Sequence, residues 1–299
     1  MAGVSNVVAE SVWRDRRAAH ERRVDGWTAG HRARRATATK HPVEDFMFVY
    51  YSLRPSQLRR WHPGAGVVLA GADPAELGAH YVAVPGGATL DTRPVLAKRA
   101  EFLAWIGPLL ERMAGRAPYV GCFGMHEWAM VYGLAPNEVR HEQWPLRLTP
   151  ERTAEVVEQT GVRCAHFDAH RFFTPAAVPL NQFQPTRERE IELEQPGCLH
   201  GNMDLYKWAY KLSPLVDSEL VADSFGLARE IRELDMRASP YDLAPLGYEP
   251  VRVETPEGRA YYARAQRDFA VRAAPLRARL IDAIDRLNRL DPTGPRESR

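Results

Sequence analysis

The chain has 299 residues, of which 45% are hydrophobic and 26% charged. That is a globular composition with material for a sizeable core, and it excludes collagen-like, coiled-coil and bulk-disordered classes. The formal net charge of +2 is too small to argue for nucleic acid by itself, and no run approaches the roughly 18 apolar residues needed to cross a bilayer.

The first forty residues carry nine Arg/Lys against four Asp/Glu. They are rich in Ala, Arg and Glu and read as a basic helical arm, residues 1–40, either a solvated helix or a holder of phosphates. Met1-Ala2-Gly3-Val4 has no basic start followed by an apolar block, so no secretory leader and a cytoplasmic location are expected. His41-Pro42 closes this stretch, and Pro42 suits the first turn of a short helix over 42–51. Arg54-Pro55 opens another short turn that ends before His62-Pro63-Gly64. Val67-Val68-Leu69 and Tyr81-Val82-Ala83-Val84 mark a β element near 67–92.

Leu96, Phe102, Leu103, Ile106, Leu109 and Leu110 recur at helical spacing between Pro94 and about Arg112. A shorter helical stretch is read at 124–132. Thr149-Pro150-Glu151 is a capped helix start, and that helix runs to Gly161. Residues 162–198 read as an ordered irregular segment, with Pro175, Pro179, Pro185 and Pro196. Helices follow over 199–212, about 215–237, and from Thr255-Pro256-Glu257 to Leu290 with a kink at Pro275. A polar tail, 291–299, is read as frayed. The expected fold is mainly α: a single compact multi-helix domain over 41–290 with a small β element near 67–92.

Polar, thiol and aromatic side chains concentrate in a few segments. Cys122 precedes His126-Glu127-Trp128, Cys164 precedes His166, and Cys198 precedes His200. Three cysteines without a Cys-x2-Cys pair give neither a disulfide framework nor a strong zinc motif. His200 and Asp204 are four apart in a helix and share a face, with Lys207 nearby. His166, Asp168 and His170 alternate, and in an extended segment all three side chains point one way. His126 and Glu127 are adjacent, so on a helix they diverge by about 100°. Asp235 and Arg237 read as capping and salt-bridging groups at a helix end. Gly-x-Ser-x-Gly, Walker and Gly-x-Gly-x2-Gly motifs are absent, which disfavours serine hydrolase, P-loop and dinucleotide-binding readings.

His41-Pro42-Val43-Glu44-Asp45-Phe46, Arg59-Arg60-Trp61-His62-Pro63-Gly64, the run Cys198 to Trp208, and Leu234-Asp235-Met236-Arg237-Ala238-Ser239-Pro240-Tyr241-Asp242 carry a resemblance. Over about 41–290 the chain resembles actinobacterial proteins labelled 3-methyladenine DNA glycosylase. The resemblance implies hydrolysis of the N-glycosidic bond of an alkylated base flipped out of the duplex. The nearest string to a helix-hairpin-helix signature is Val84-Pro85-Gly86-Gly87-Ala88, with no aspartate about twenty residues on, so no catalytic residue is carried over from that superfamily.

These readings lead to a glycosylase-like hydrolase acting on a modified purine in DNA or a related nucleotide, without a cofactor. Asp204 or Asp168 is the expected carboxylate, with His166, His200 and Glu127 as supporting acid/base groups. Trp128, Trp208 and Tyr206 are the expected stacking residues, Asn202 a substrate contact, and Arg59 and Arg60 phosphate contacts. The alternative is a metal-dependent enzyme on a small molecule, with His166, Asp168, His170 and His200 around iron or zinc. A third is a non-catalytic nucleotide-binding protein.

Overall fold

The computed structural model describes residues 6–139 and 144–290, so the tail at 291–299 lies outside the described residues. Strand β1 (Asn6–Val8) leads into helix α1 (Glu10–Ala36), followed by α2 (Phe46–Val49) and α3 (Pro55–Arg59). Then come β2 (Val67–Ala70), α4 (Pro74–Leu77), β3 (Tyr81–Val84) and β4 (Gly87–Leu90). The remainder is helical: α5 (Arg93–Ala114), α6 (Met125–Ala129), α7 (Pro150–Thr160), α8 (Phe167–His170), α9 (Glu190–Leu193), α10 (Leu199–Leu212), α11 (Ser218–Ala238) and α12 (Pro256–Leu290). Helix makes up 59% of the chain beside one four-stranded sheet, so the fold is mainly α with a small β element. Among the described residues, no helix is long and apolar enough to cross a membrane.

The chain forms two compact units. The first comprises Met1–Pro108, Leu205–Gly226 and Leu276–Arg299, the second Leu109–Asp204 and Leu227–Pro275. In the first, the sheet has the order β1-β2-β4-β3. β1 runs parallel to β2, with Asn6 opposite Val67, and β2 and β3 both run antiparallel to β4. The string Val84-Pro85-Gly86-Gly87 is the β3–β4 hairpin, with Val84 paired to Gly87 and Gly86 at φ +83°. A side chain on Gly87 would collide with the Leu69 carbonyl of β2, so this strand needs glycine there.

Residues 6–36 pack within the first unit. Trp13 and Val24 are fully buried, and His20, Thr28 and His31 are buried on the same stripe. The Trp13 indole donates to the Ala70 carbonyl at 3.0 Å. The strand at 6–8, read as helix from the sequence, owes its form to pairing with β2. Arginines of α1 face carboxylates: Arg16 meets Glu219, Arg23 meets Asp223, and Arg34 meets Glu44 and Asp45.

Capping follows the sequence in the second half of the chain. Thr149 accepts from the Arg152 amide, Asp217 from Leu220, and Thr255 from Gly258. The assigned helix α12 runs unbroken through Pro275. The segment 162–198 is irregular as expected, stitched by Asn181, whose side chain bonds both the amide and the carbonyl of Cys164.

Candidate metal centre

The second unit gathers its chemistry on α6, α8, α9, α10 and α11. Phe123 and Gly124 take successive left-handed conformations, φ +47° and +71°, and turn the chain sharply into α6. His126, Glu127 and Trp128 of that short helix are all buried. The divergence expected of His126 and Glu127 is real, but one helix answers both. Arg232 and Asp235, one turn apart on α11, meet Glu127 and His126 respectively.

Arg232 Nη1 donates to Glu127 Oε1 at 3.1 Å and to Asp235 Oδ2 at 3.1 Å. The other Asp235 oxygen, Oδ1, lies 2.9 Å from His126 Nε2. Neither of these two atoms has a hydrogen-bond partner among the described residues. The His126 ring meets the His200 ring edge-on, with centroids 4.4 Å apart. One ligand atom each from His126, His200 and Asp235 falls within 4.8 Å of the others.

Charge at this centre is strongly biased. Burial pushes the Asp235 carboxyl up, but His126, His200 and Arg232 together pull it below the usual carboxylate range. Burial pushes His126 down, and Asp235 and Glu127 more than reverse this, raising it. His200 is held well below the ordinary imidazole range by burial and by the positive charge of His126, so it is neutral and its lone pair is available. His200 and Cys122 are nonetheless partly exposed at their surfaces, in contrast to the buried His126 and Asp235.

The His200 ring stacks on His166, with centroids 5.1 Å apart and planes at 13°. His166 Nδ1 shares a 2.5 Å hydrogen bond with Glu194 Oε1, and its Nε2 lies 4.0 Å from Asp204 Oδ2. Asp168 joins this group and also accepts from Arg187 at 3.1 Å. Gly201 makes room here: a side chain on it would sit 2.8 Å from Glu194 Oε2. All three cysteines belong to the same unit, and burial pushes each thiol up, which leaves them neutral.

The structure thus brings together Asp168, His166, His200, Asp204 and, through Arg232, Glu127. Other expectations are corrected. His166 to His170 is not an extended alternating segment. Phe167–His170 is a helical turn, so His170 diverges and packs edge-on against Phe173 at 4.9 Å. Trp128 is fully buried, its indole donates to the Ala238 carbonyl, and Arg147 lies over its ring, so it offers no free stacking face.

Trp208 and Tyr206 belong to the first unit. Trp208 packs against Trp105 and Phe102 beneath Lys207, and Tyr206 against Tyr51, Tyr210 and Phe225. Asn202 is fully buried and donates to the Pro196 carbonyl at 2.9 Å, a structural bond. Arg59 is held by Asp25 and Glu21, while Arg60 is exposed and its carbonyl accepts from Ser218.

Sequence reasoning missed His126 and Asp235 as a pair, and Glu194 altogether. No protein-family model matches the chain, and no curated protein or solved structure is similar to it at a significant level.

Proposed function

We propose that the protein is a metal-dependent enzyme acting on a small molecule, with His126, His200 and Asp235 as the ligands of a divalent ion such as iron or zinc. The observation that carries this reading is the contact between His126 Nε2 and Asp235 Oδ1. The two atoms are 2.9 Å apart, buried, and outside hydrogen-bond geometry. Burying an imidazole and a carboxylate as an ion pair with no well-aligned hydrogen bond between them is expensive. Two ligand atoms held about 2.1 Å from one ion are separated by about 3 Å when they subtend a right angle, and they are fully satisfied.

Imidazole and carboxylate donors suit iron, zinc or manganese rather than calcium. Such an ion, when bound, supplies an activated water or a polarised substrate oxygen. The surrounding residues do the rest. Arg232 fixes the second Asp235 oxygen and so orients the first. Glu127, bonded to the same guanidinium nitrogen, keeps Arg232 in place. His200 is the member with surface exposure and faces the arriving substrate.

The test is elemental analysis of full-length protein purified without an affinity tag. One equivalent or more of a transition metal is expected in the wild type, with a loss in His126→Ala. Metal-free protein that releases a base from alkylated DNA would overturn this reading and restore the glycosylase expectation.

A further inference from the structure

We infer that the second unit takes two divalent cations, the second held by His166, Asp168 and Asp204. This rests on the metal reading above but on different ligands. One ligand atom each from His166, Asp168 and Asp204 falls within 4.8 Å of the others, and all three residues are buried.

The bond from His166 Nδ1 to Glu194 Oε1 decides which ring nitrogen serves. A carboxylate accepts only, so Nδ1 carries the proton, and in the neutral ring Nε2 is the nitrogen with a lone pair. This is the carboxylate–imidazole pairing that orients a metal-binding histidine. From Nε2, Asp204 Oδ2 lies 4.0 Å away. That is too long for a hydrogen bond. It is within the span of about 4.2 Å open to two ligands each about 2.1 Å from a shared ion.

A separate observation points the same way. Glu194 is buried, and its Oε2 has no hydrogen-bond partner among the described residues. Glu190, also buried, leaves its own Oε2 in the same condition. Glu194 and Asp204 thus face the two nitrogens of His166, and Asp168 beside them is paired with Arg187 and Arg171.

A competing set, His166 with Glu194 and Cys198, includes the carboxylate that already holds His166 Nδ1. The two centres adjoin because α10 supplies His200 to the first and Asp204 to the second, one helical turn apart. The stacked rings of His166 and His200 lie between them.

Full-length, tag-free protein, stripped with a chelator and dialysed, is titrated with Mn²⁺ and with Zn²⁺ and counted by elemental analysis. The wild type should hold two equivalents, Asp204→Asn one, His126→Ala one, and the double variant none. Mn²⁺-loaded wild type should show an exchange-coupled electron paramagnetic resonance signal, absent from each single variant. Glu194→Gln should weaken the second equivalent alone, by about 10–100-fold. If Asp204→Asn fails to fold, Asp168→Asn takes its place. One equivalent in the wild type, unchanged in Asp204→Asn and lost in His126→Ala, would overturn the second site and leave the first standing. No bound metal in the wild type would overturn both.

Discussion

Both units bury histidine rings, wholly or in part, and treat them differently. In the first, every ring has a bonded partner. His20 Nε2 meets the Leu58 carbonyl at 2.9 Å, His31 Nδ1 meets Asp45 at 2.8 Å, and His62 Nδ1 meets the Tyr81 hydroxyl at 2.9 Å. The three partners lie apart in sequence, and none of the three rings touches another in a ring contact. In the second unit, His126, His200 and His166 touch one another, and the neighbouring Asp235 and Glu194 keep oxygens without hydrogen bonds among the described residues. A buried histidine with one satisfied bond is a fastener. A row of them beside unsatisfied carboxylates is a site waiting for charge.

The comparison can be broken or sharpened by experiment. The largest effect is expected at Asp235, which is fully buried between His126 and Arg232. Asp235→Ala should cost about 3–5 kcal/mol, because it leaves Arg232 buried with less compensation. The first unit's counterpart, Asp45→Ala, removes bonds to His31 and Arg34 at a less enclosed position and should cost about 1.5–3 kcal/mol. Urea unfolding of both variants checks the order.

The second prediction concerns pH. Burial holds the His62 imidazole down to about 4, from an ordinary value of 6.5. The unfolded chain therefore binds the proton first as pH falls. The stability from neutral His62 is complete above about pH 6.5 and drains away between there and about pH 4, on the order of 3 kcal/mol in all. Thermal melts of the wild type should fall across that window, and those of His62→Gln should fall less.

A third prediction separates the two kinds of histidine directly. Saturating Zn²⁺ at about 100 times its dissociation constant should stabilise the metal-free wild type by about 2.7 kcal/mol. That gain applies to each occupied site, so it should shrink by one site's worth in His126→Ala and persist in full in His31→Ala, read as the shift in melting temperature. The smallest effect is expected at Arg59→Ala. Its ion pairs with Asp25 and Glu21 are half-exposed, so stability should change by less than about 1 kcal/mol. Because Arg59 is already engaged, the salt dependence of any duplex binding should not move.

The fold was legible where local chemistry decides it. Thr149-Pro150 and Thr255-Pro256 cap their helices, and the apolar stripe from Leu96 to Leu110 is buried in α5 as its spacing predicts. The basic segment is helical as read, and its packing was hard to see because the buried stripe is largely polar, with His20, Thr28 and His31 in positions where apolar residues announce a packed helix. In the site, His166, Asp168, His200 and Asp204 stood out because thiols and aromatics crowd them in sequence.

Asp235 did not stand out, since its partner His126 is far away in the chain and a carboxylate near a helix end also reads as a cap. A signal was present. Ile231, Leu234 and Ala238 place Asp235 within the apolar stripe of α11, where an unpaired carboxylate has no reason to be. His126 was set aside for its adjacency to Glu127, an argument that holds for one metal but not for two partners on one facing helix.

The link from Glu127 to Arg232 spans 105 residues. No short stretch of the chain contains the centre, and a nascent polypeptide holds nothing resembling it until α11 has been synthesised. Closing so long a loop comes late and slowly compared with forming any helix in it. Until that closure, His126 and Asp235 remain two separately solvated groups with no shared affinity for an ion. Under the metal proposal, uptake of an ion marks the completion of the second unit's topology, and the time course of metal binding during refolding tests for the closure of that long loop rather than for collapse.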